Sequence, residues 1–312
     1  MCASSGSRTA ASLIGMFGVF NVDKPAGMTS RDVVNRIRRQ IRPAKIGHAG
    51  TLDRMATGVL LVCVGPATRL IPRVHRWSKS YDTTILLGQR SDTDDVTGNV
   101  TTASDAVPID ESRLTTALSR FVGEIEQVPP RVSAVHVEGQ RAWRLTRCGH
   151  DVKLKARTVC VSRIDCQEYD WPRVRLIIEC ASGTYIRSIA RDLGEHLKCG
   201  GVLARLERSW IGPFRIDEAV TLSELSDADA CQRHLRSAIE LVPEMPQYTC
   251  SPQDVEQLRI GRPVLTERIG QSDGSPEMAL LTPDRQLAAI AECHGDGRAV
   301  PRQVFIRVMG AA

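Results

Sequence analysis

The sequence predicts an α+β fold whose core is an extended, mixed and largely antiparallel sheet. Strand-like apolar runs and amphipathic helical patterns follow one another without the regular βαβ alternation of a parallel sheet. Residues 173–180 alternate apolar and polar side chains, as one strand of an antiparallel sheet does. With 312 residues, the chain is long enough for a large domain followed by a smaller one.

Local patterns place the elements of the large domain, which we expect at residues 16–245. Ser30 is the predicted N-cap of a helix whose apolar residues fall at helical spacing up to Ile41. Further helices are predicted at residues 111–122 and 184–197, and strands at residues 17–22, 59–64, 81–87 and 173–180. The Ser/Ala-rich residues 1–15 are expected to form a disordered tail.

The last part of the chain has a different pattern. Prolines at positions 243, 246 and 252 indicate a linker. Short strand-like runs follow at residues 279–281, 287–291 and 303–308. We therefore predict a small β-rich module at residues 246–312, with no catalytic pattern of its own.

The charge balance gives only weak information about partners. The net charge is +5, and 35 of the 41 basic residues are arginines. The planar guanidinium grips phosphate bidentately and stacks on bases, which favours a nucleic-acid partner. A GC-rich genome would explain the same excess equally well.

Composition also bears on compartment and metals. Ten cysteines are present, but no Cys-x-x-Cys pair and no His-Glu-x-x-His motif occurs, so we expect neither disulfides nor a metal site. No apolar run approaches the roughly 18 residues of a membrane span. Residues 1–15 lack the apolar core of a secretory signal. We expect a cytoplasmic protein with reduced thiols and no membrane partner.

The most informative stretch is residues 47–60, Gly-His-Ala-Gly-Thr-Leu-Asp-Arg-Met-Ala-Thr-Gly-Val-Leu. It places one carboxylate, Asp53, in a glycine-rich turn immediately before an apolar strand. A tight loop that feeds a buried strand is a rigid mount for a nucleophile or a general base. Taken alone, an Asp that only caps a turn is the more common explanation.

Four further blocks accompany this stretch in order along the chain. They are Lys24-Pro25-Ala26-Gly27-Met28-Thr29-Ser30, Lys79-Ser80-Tyr81, Gly88-Gln89-Arg90-Ser91-Asp92-Thr93-Asp94 and Gly183-Thr184-Tyr185-Ile186-Arg187. Together the blocks closely resemble the TruB family of tRNA pseudouridine synthases over roughly residues 17–215. The resemblance implies the pseudouridine synthase catalytic fold, an active site in a central cleft, and a small PUA-like module at the C-terminus.

The resemblance also implies the reaction and its catalytic residues. Pseudouridylation breaks the bond between N1 of uracil and C1′ of ribose, turns the base and rejoins it through C5. Because this is an isomerisation, it requires no cofactor. By resemblance, Asp53 is the catalytic carboxylate, Arg187 the cation that keeps it charged and directed, and Tyr81 the tyrosine that stacks on the uracil. Taken alone, Tyr81 would be a core residue.

Five more residues match family positions that contact RNA or support the site. His48, Tyr185 and Leu206 match positions at the extruded base and its pocket. Lys24 matches the lysine of a block near the site, and Asp92 lies in a block similar to the family's Thr-Asp-Thr loop. Taken singly, His48 would be a turn residue and Lys24 a surface lysine.

Residues 124–157 resemble the RNA-gripping segment inserted in this family. They hold Arg141, Arg144 and Arg147 beside one aromatic residue, Trp143. Basic side chains with an aromatic ring suit RNA loops, which offer phosphates and unstacked bases. From this segment alone, a solvated basic hairpin is the simpler explanation.

Four positions depart from the family pattern. Arg54 replaces the proline that usually follows the catalytic Asp, and Val132, His136 and Glu207 stand where Tyr, Lys and Arg are common. None of these departures removes a catalytic group. We expect them to affect RNA affinity more than chemistry.

The sequence therefore predicts a stand-alone, monomeric enzyme that converts uridine 55 in the T-arm stem-loop of tRNA to pseudouridine without a guide RNA. Three alternatives are a guide-RNA-dependent synthase of the dyskerin type, a non-catalytic RNA-binding or folding module, and a nucleosidase or glycosidase. The basic insert argues against the first alternative, and the intact set of Asp53, Tyr81 and Arg187 against the second. The third lacks a second carboxylate with a clear acid role.

Overall fold

The computed structural model describes residues 16–104, 106–133, 136–137, 139–141, 144, 154–265 and 277–306. Its strands are β1 (Gly18–Lys24), β2 (Ile46–Ala49), β3 (Thr57–Val64), β4 (Lys79–Leu87), β5 (Gln89–Ser91), β6 (Val100–Thr102), β7 (Gly123–Gln127), β8 (His136–Val137), β9 (Gln140–Arg141), β10 (Arg157–Asp170), β11 (Arg173–Cys180), β12 (Gly201–Ile211), β13 (Phe214–Arg215), β14 (Arg236–Ser237), β15 (Gln247–Thr249), β16 (Val264–Leu265), β17 (Glu277–Leu281), β18 (Leu287–Cys293) and β19 (Arg298–Val304). Its α-helices are α1 (Ser30–Gln40), α2 (Ile71–Val74), α3 (Glu111–Ser119), α4 (Ile186–His196), α5 (Ala228–His234) and α6 (Pro252–Arg259). Short 3₁₀ helices lie at Gly65–Leu70, Ile216–Glu218 and Ala238–Leu241.

One ten-stranded sheet organises the large domain, and it confirms the predicted α+β fold. The strands follow the order β14-β1-β3-β12-β4-β11-β10-β7, with β2 beside β3 and β13 beside β12. Neighbours in this sheet are antiparallel, except β3 and β12, which run parallel. The sheet is therefore mixed but largely antiparallel, as the sequence predicts.

Helix α1 covers one part of this sheet, and its cap differs from the prediction. The N-cap is Thr29 rather than Ser30, because Thr29 Oγ1 accepts from the Asp32 main-chain N–H at 3.1 Å and the Asp32 carboxylate accepts from the Thr29 N–H at 2.9 Å. The buried residues Val33 and Ile37 pack in a core with β1 and β3. Ser30 is thus free to face inward.

Helices α3 and α4 cover the other part of the sheet. Both were predicted from their apolar stripes, and both are shorter than predicted. Leu114 of α3 and Ile189 of α4 pack in one core with Ile85 of β4 and Leu176 of β11. Since α4 begins directly after Tyr185, this packing fixes the start of the helix against the sheet.

Strand β12 crosses the middle of the sheet between β3 and β4, and the sequence pattern did not predict it. Its pairing with β4 is irregular between Leu203 and Arg205, and again between Arg208 and Trp210. Bulges of this kind break the period of two by which a strand is recognised. The strand nevertheless presents Leu206 and Arg208 to the same pocket.

The C-terminal β-rich module is a five-stranded sheet in the order β15-β17-β18-β19-β16. Strand β19 begins and ends earlier than the predicted run at residues 303–308, of which 307 and 308 lie outside the described residues. The module packs on the large domain through the stacked rings of Phe17 and Phe305, 5.5 Å apart, and through an ion pair of 2.7 Å between Arg73 and Glu277.

Three compositional expectations concern cysteines, metals and membranes. Each cysteine in the described ranges carries a free thiol. Within those ranges, no group of three or more His, Cys, Asp or Glu side chains is placed to hold a metal ion. The described part of the chain also contains no helix with the length and apolar character needed to cross a membrane.

The close approach of β3 and β12 yields a test of the fold. Gly58 has a φ of +95°, and a Cβ there would lie 2.4 Å from the Arg208 carbonyl oxygen, whereas Gly123 has a φ of +99° and open space around it. We predict that Gly58→Ala lowers the free energy of unfolding by about 1–3 kcal/mol more than Gly123→Ala does. Both alanines would strain the backbone at positive φ, but only the one at position 58 would also crowd the Arg208 main chain. Urea denaturation measures both variants. Equal losses would contradict the close approach.

Candidate active site

A pocket of about 410 Å³ opens where the loop before β3 meets the start of α4 and the middle of β12. Six of the eight predicted site residues line it: His48, Asp53, Tyr81, Tyr185, Arg187 and Leu206. Lys24 and Asp92 do not. The structure thus brings together side chains from five separate parts of the chain.

The loop that carries Asp53 is anchored on both sides of that residue. Ser30 Oγ, in the first turn of α1, accepts from the Leu52 N–H at 2.9 Å and donates to the Leu52 carbonyl oxygen at 3.3 Å. The Gly27 N–H donates to the Arg54 carbonyl oxygen at 2.8 Å. The first two sequence blocks therefore form one structural unit around the carboxylate.

Lys24 lies behind the pocket and braces the same loop. Its side chain is fully buried, and Nζ donates to the Met28 carbonyl oxygen at 2.7 Å and to that of Arg54 at 3.4 Å. Burial lowers the pKa of Lys24 to about 8, an effect that the Asp53 carboxylate opposes. Its role in this structure is to hold the loop, and contact with RNA stays a prediction.

The Asp53 carboxylate and the Arg187 guanidinium form an ion pair in the pocket. Arg187 Nη2 donates to Asp53 Oδ1 at 2.9 Å, and Arg187 Nε lies 2.8 Å from Oδ2, although its N–H direction makes no hydrogen bond. Arg187 is buried, whereas 36% of the Asp53 side chain is exposed. The pair therefore fixes the direction of a carboxylate that a substrate can still reach.

Arg187 is also held from three other sides. Nη1 donates to the Thr93 carbonyl oxygen at 3.1 Å, and Nη2 donates to the Val132 carbonyl oxygen at 3.0 Å. Nη1 lies 3.6 Å from Oδ2 of Asp95, a buried carboxylate that also accepts from Thr97 N at 2.9 Å. One guanidinium thus joins two carboxylates and two main-chain segments.

Asp92 lies outside the pocket, in the turn between β5 and β6. Its carboxylate accepts from the Asn99 main-chain N–H at 2.8 Å and from Asn99 Nδ2 at 2.9 Å. The following residues Thr93 and Asp95 make the contacts of this loop with Arg187. The loop that contains Asp92 therefore contacts the site through Thr93 and Asp95 rather than through Asp92 itself. A direct role of Asp92 toward RNA stays a prediction.

Tyr81 faces the pocket from β4, directly opposite Arg208 of β12 in the strand pairing. Arg208 is 1% exposed and donates to the Tyr81 hydroxyl, to the Val59 carbonyl oxygen at 2.7 Å and to the Gly50 carbonyl oxygen at 3.2 Å. Burial raises the pKa of Tyr81, and the adjacent Arg208 opposes that rise. The tyrosine hydroxyl is therefore neutral at pH 7 and directed by a cation.

Lys79 and His48 add two basic side chains to the pocket wall. Lys79 is buried, and Nζ donates to the Trp77 carbonyl oxygen at 2.6 Å. Burial, followed by the charge of Arg208, lowers the pKa of Lys79 to about 8. Burial also lowers the pKa of His48, so its imidazole is neutral at pH 7. Within the described residues, His48 Nδ1 has no hydrogen-bond partner.

Tyr185 and Leu206 complete the wall. The buried amide of Gln127, at the end of β7, donates to the Tyr185 carbonyl oxygen at 3.0 Å and accepts from the Tyr185 N–H at 2.8 Å. The Arg157 guanidinium lies over the Tyr185 ring, 4.7 Å from its centre. Because Tyr185 caps α4, these contacts also position Arg187 in the first turn.

The inserted segment is described only in part. It begins in β7 and reaches the pocket at Ser133, whose buried hydroxyl has no hydrogen-bond partner in the described part of the chain. Arg141 belongs to the short β8–β9 hairpin, and Arg144 is exposed. Trp143 and Arg147 lie outside the described residues. The RNA-gripping role of the segment stays a prediction.

The departures from the family pattern leave the pocket intact. The Arg54 side chain is exposed, and the loop uses only its carbonyl oxygen. Val132 also contributes a main-chain oxygen, so its side-chain type does not affect the bond to Arg187. Glu207 pairs with Arg205 at 3.0 Å. His136 lies in β8, and its side chain is not described.

Sequence reasoning missed four residues that shape the site. Asp95 follows directly after the Gly88 to Asp94 block, and Lys79 opens the block that contains Tyr81, so both had a positional signal. Arg208 lies on the unpredicted strand β12. Gln127 carries no signal, since its contacts with the Tyr185 backbone depend entirely on tertiary structure.

Two family sequence models match the chain. "TruB family pseudouridylate synthase (N terminal domain)" matches residues 38–186, and "tRNA pseudouridylate synthase B C-terminal domain" matches residues 187–242. A protein of Ruegeria pomeroyi named tRNA pseudouridine synthase B is 44% identical over 78% of this chain and 81% of its own length. A protein of the same name from an Arthrobacter species is 42% identical over 92% of this chain and 96% of its own length.

Solved structures share the fold at much lower identity. "Structure of H/ACA RNP bound to a substrate RNA containing 2'-deoxyuridine" matches with a TM-score of 0.69 and 22% identity, covering 96% of this chain and 88% of that one. "Crystal Structure of a Cbf5-Nop10-Gar1 Complex" matches with a TM-score of 0.69 and 23% identity, covering 98% and 92%. These two likenesses concern the fold alone. On the identity to its bacterial relatives and the matched sequence models, the chain belongs to the TruB family of pseudouridylate synthases.

Proposed function

We propose that this chain isomerises uridine 55, in the T-arm loop of tRNA, to pseudouridine, acting alone in the cytoplasm. The main observation in support of this proposal is the partly exposed Asp53 carboxylate. The buried Arg187 fixes its direction in a pocket that Tyr81 also lines. Relatives named tRNA pseudouridine synthase B support the choice of tRNA. Residues 16–245 would supply the catalysis, and the PUA-like residues 246–312 an additional RNA contact.

The chemistry requires a carboxylate at C1′ of the ribose. As the N1–C1′ bond breaks, Asp53 either bonds to C1′ as a nucleophile or removes the C2′ proton. The uracil then turns and C5 bonds to C1′, so that Asp53 leaves C1′ in the first case and returns the proton to C2′ in the second. The C5 proton then leaves while N1 gains one. Arg187 holds the Asp53 carboxylate in a fixed direction for either role. No other carboxylate lines the pocket in the described part of the chain.

The wall of the pocket suits an extruded pyrimidine. Tyr81 and Tyr185 supply rings and Leu206 an apolar surface, which is how enzymes hold a base taken out of its stack. The neutral His48 offers a hydrogen-bonding nitrogen at the rim. We assign to these four residues the recognition of the base and its loop, and to the inserted segment the contact with stem phosphates.

The alternatives account for less of this geometry. A nucleosidase of the two-carboxylate type needs a second acid near the sugar, but Asp95 is buried behind Arg187. Its Oδ1 already accepts from Thr93 Oγ1 and the Thr97 N–H, and its Oδ2 faces Arg187. A non-catalytic module would not need a carboxylate held this firmly. A guide-dependent synthase is the alternative left for direct test, because a solved structure titled as an H/ACA RNP bound to a substrate RNA shares the fold of this chain.

The role of Asp53 is tested by Asp53→Asn, which keeps the shape of the side chain and removes its charge. We predict that pseudouridine formation falls below detection while tRNA affinity changes by less than about threefold, since only the charge at C1′ is lost. Tritium release from 5-tritiated uridine in unmodified tRNA measures the reaction, and filter binding measures affinity. Near-normal turnover would exclude Asp53, and loss of binding would make it a structural residue.

The buried network is tested by Arg187→Met, with Arg175→Met as the matched control. Arg175 also forms a bidentate pair, with Asp82, but its side chain is 47% exposed. We predict a loss of about 3–5 kcal/mol for Arg187→Met, which leaves Asp95 buried without its cation, and about 0–1 kcal/mol for the control. Adding Asp95→Asn should recover part of the loss. Equal effects of the two single variants in thermal melts would refute a buried network.

Substrate form is tested with three RNAs: whole tRNA, a T-arm hairpin and a scrambled single strand. A folded loop presents the base at a lower ordering cost. We therefore predict that the hairpin reacts within about tenfold of tRNA and that the scrambled strand reacts far more slowly. Initial rates with the purified chain alone decide the matter. Comparable rates on hairpin and scrambled strand would rule out loop recognition, and a need for added guide RNA would favour the guide-dependent alternative.

A further inference from the structure

Two cations lie buried in the pocket wall without an acidic partner. Arg208 is 1% exposed and Lys79 is 5% exposed, and both line the pocket that holds Asp53. Among the described residues, neither makes an ion pair with a carboxylate. The third buried cation of the pocket, Arg187, has two carboxylates, Asp53 and Asp95.

The partners of Arg208 are neutral. Its guanidinium donates to the carbonyl oxygens of Val59 and Gly50 and to the hydroxyl of Tyr81, which burial keeps protonated. The thiol of Cys180, also nearby, is uncharged because burial raises its pKa to about 11. Within the described ranges, the full positive charge of Arg208 therefore meets no negative charge in the resting protein.

Lys79 meets Arg208 at the base of the loop. A Cβ placed on Gly50 would lie 3.5 Å from Arg208 Nη1 and 4.0 Å from Lys79 Cε. In the part of the chain that the structure describes, Nζ of Lys79 makes one hydrogen bond, to the Trp77 carbonyl oxygen. Two like charges that are buried side by side repel each other, and each of them also loses its hydration on burial.

Such an arrangement is unfavourable for folding but favourable where negative charge forms during a reaction. A preorganised cation in a site with little water stabilises a developing anion without reorganisation. Perturbed basic groups inside a cleft are for the same reason candidates for function. In the proposed function, Asp53 acts at the sugar. The negative charge that still requires stabilisation is therefore the charge on the departing base.

We propose that Arg208 and Lys79 together form a fixed positive charge that stabilises the uracil anion when the N1–C1′ bond breaks. This inference rests on the proposed function. The electron pair of the broken bond passes to N1 and is shared with O2 and O4, whether Asp53 bonds to C1′ or removes the C2′ proton. When C5 attacks C1′, the electrons of the ring form the new C5–C1′ bond, and Asp53 leaves C1′ or returns its proton to C2′. The C5 proton is then lost while N1 gains a proton, so the net reaction remains an isomerisation.

Two consequences separate this role from a structural one. If Lys79 served only the fold, Lys79→Met would lower the melting temperature of the protein. On our proposal, this variant removes a buried charge and should leave the melting temperature unchanged or higher. A charge that serves the leaving base should matter less for a base that bears negative charge more easily. In 4-thiouridine, sulfur replaces O4 and spreads the charge better, while C5 stays unmodified.

The test compares single-turnover rates on T-arm hairpins carrying uridine or 4-thiouridine at the target position. We expect Lys79→Met to slow the uridine reaction on the order of 100-fold, as the loss of one stabilising donor does, and to slow the 4-thiouridine reaction at least about tenfold less. Lys79→Arg, which keeps the charge, should restore most of the rate. Arg208→Lys also keeps the charge and should slow the uridine reaction less than Lys79→Met does. Arg205→Met, at a half-exposed side chain that pairs with Glu207 and Asp82, is the control for loss of a cation on β12.

The outcomes distinguish the inference from the function beneath it. Equal slowing of both substrates by Lys79→Met would overturn the inference while pseudouridine still forms in the unmodified enzyme. A fall in melting temperature together with equal slowing would identify a structural brace and also overturn it. Absence of any pseudouridine from the unmodified enzyme would overturn the proposed function itself.

Discussion

The ion pair between Asp53 and Arg187 is the interaction on which the site depends. Arg187 is buried at the start of α4, where it also binds the Thr93 and Val132 carbonyl oxygens and faces Asp95. One side chain therefore joins the loop that carries Asp53, the loop after β5, the inserted segment and the helix. Because a buried guanidinium must have its charge and its donors satisfied, the position of each of these segments constrains the others.

A second constraint acts from behind the pocket. The segment from Lys24 to Ser30 holds the loop of Asp53 through three groups. These are the Lys24 ammonium group, the Ser30 hydroxyl and the Gly27 main-chain N–H. The floor of the same pocket carries Arg208 and Lys79, which have no carboxylate partner within the described ranges. The pocket thus holds the Asp53–Arg187 ion pair at the proposed position of the sugar, and beside it the positive charges of Arg208 and Lys79. This arrangement suits a reaction in which negative charge passes from the broken N1–C1′ bond to the base.

Much of this could be predicted from the sequence. The apolar periods predict β1, β3, β4 and β11, and the ordered blocks contain five of the six predicted site residues that line the pocket. Strand β12 was missed because its bulges remove the alternation, and Arg208 was missed with it. Gln127 and Asp95 act through contacts between segments distant in sequence, which no local pattern encodes. The cap at Thr29 was misassigned because Ser30 is an equally good capping residue whose hydroxyl is used elsewhere.

The most direct test of the account is a crystal structure of the Asp53→Asn variant with a T-arm hairpin that carries an unmodified target uridine. The account predicts that the uridine is extruded into the pocket, with its C1′ roughly 3–4 Å from the side chain of residue 53, a near-attack distance, and its base against Tyr81. A target uridine that remains stacked in its loop, or a C1′ turned away from residue 53 toward solvent, would contradict it.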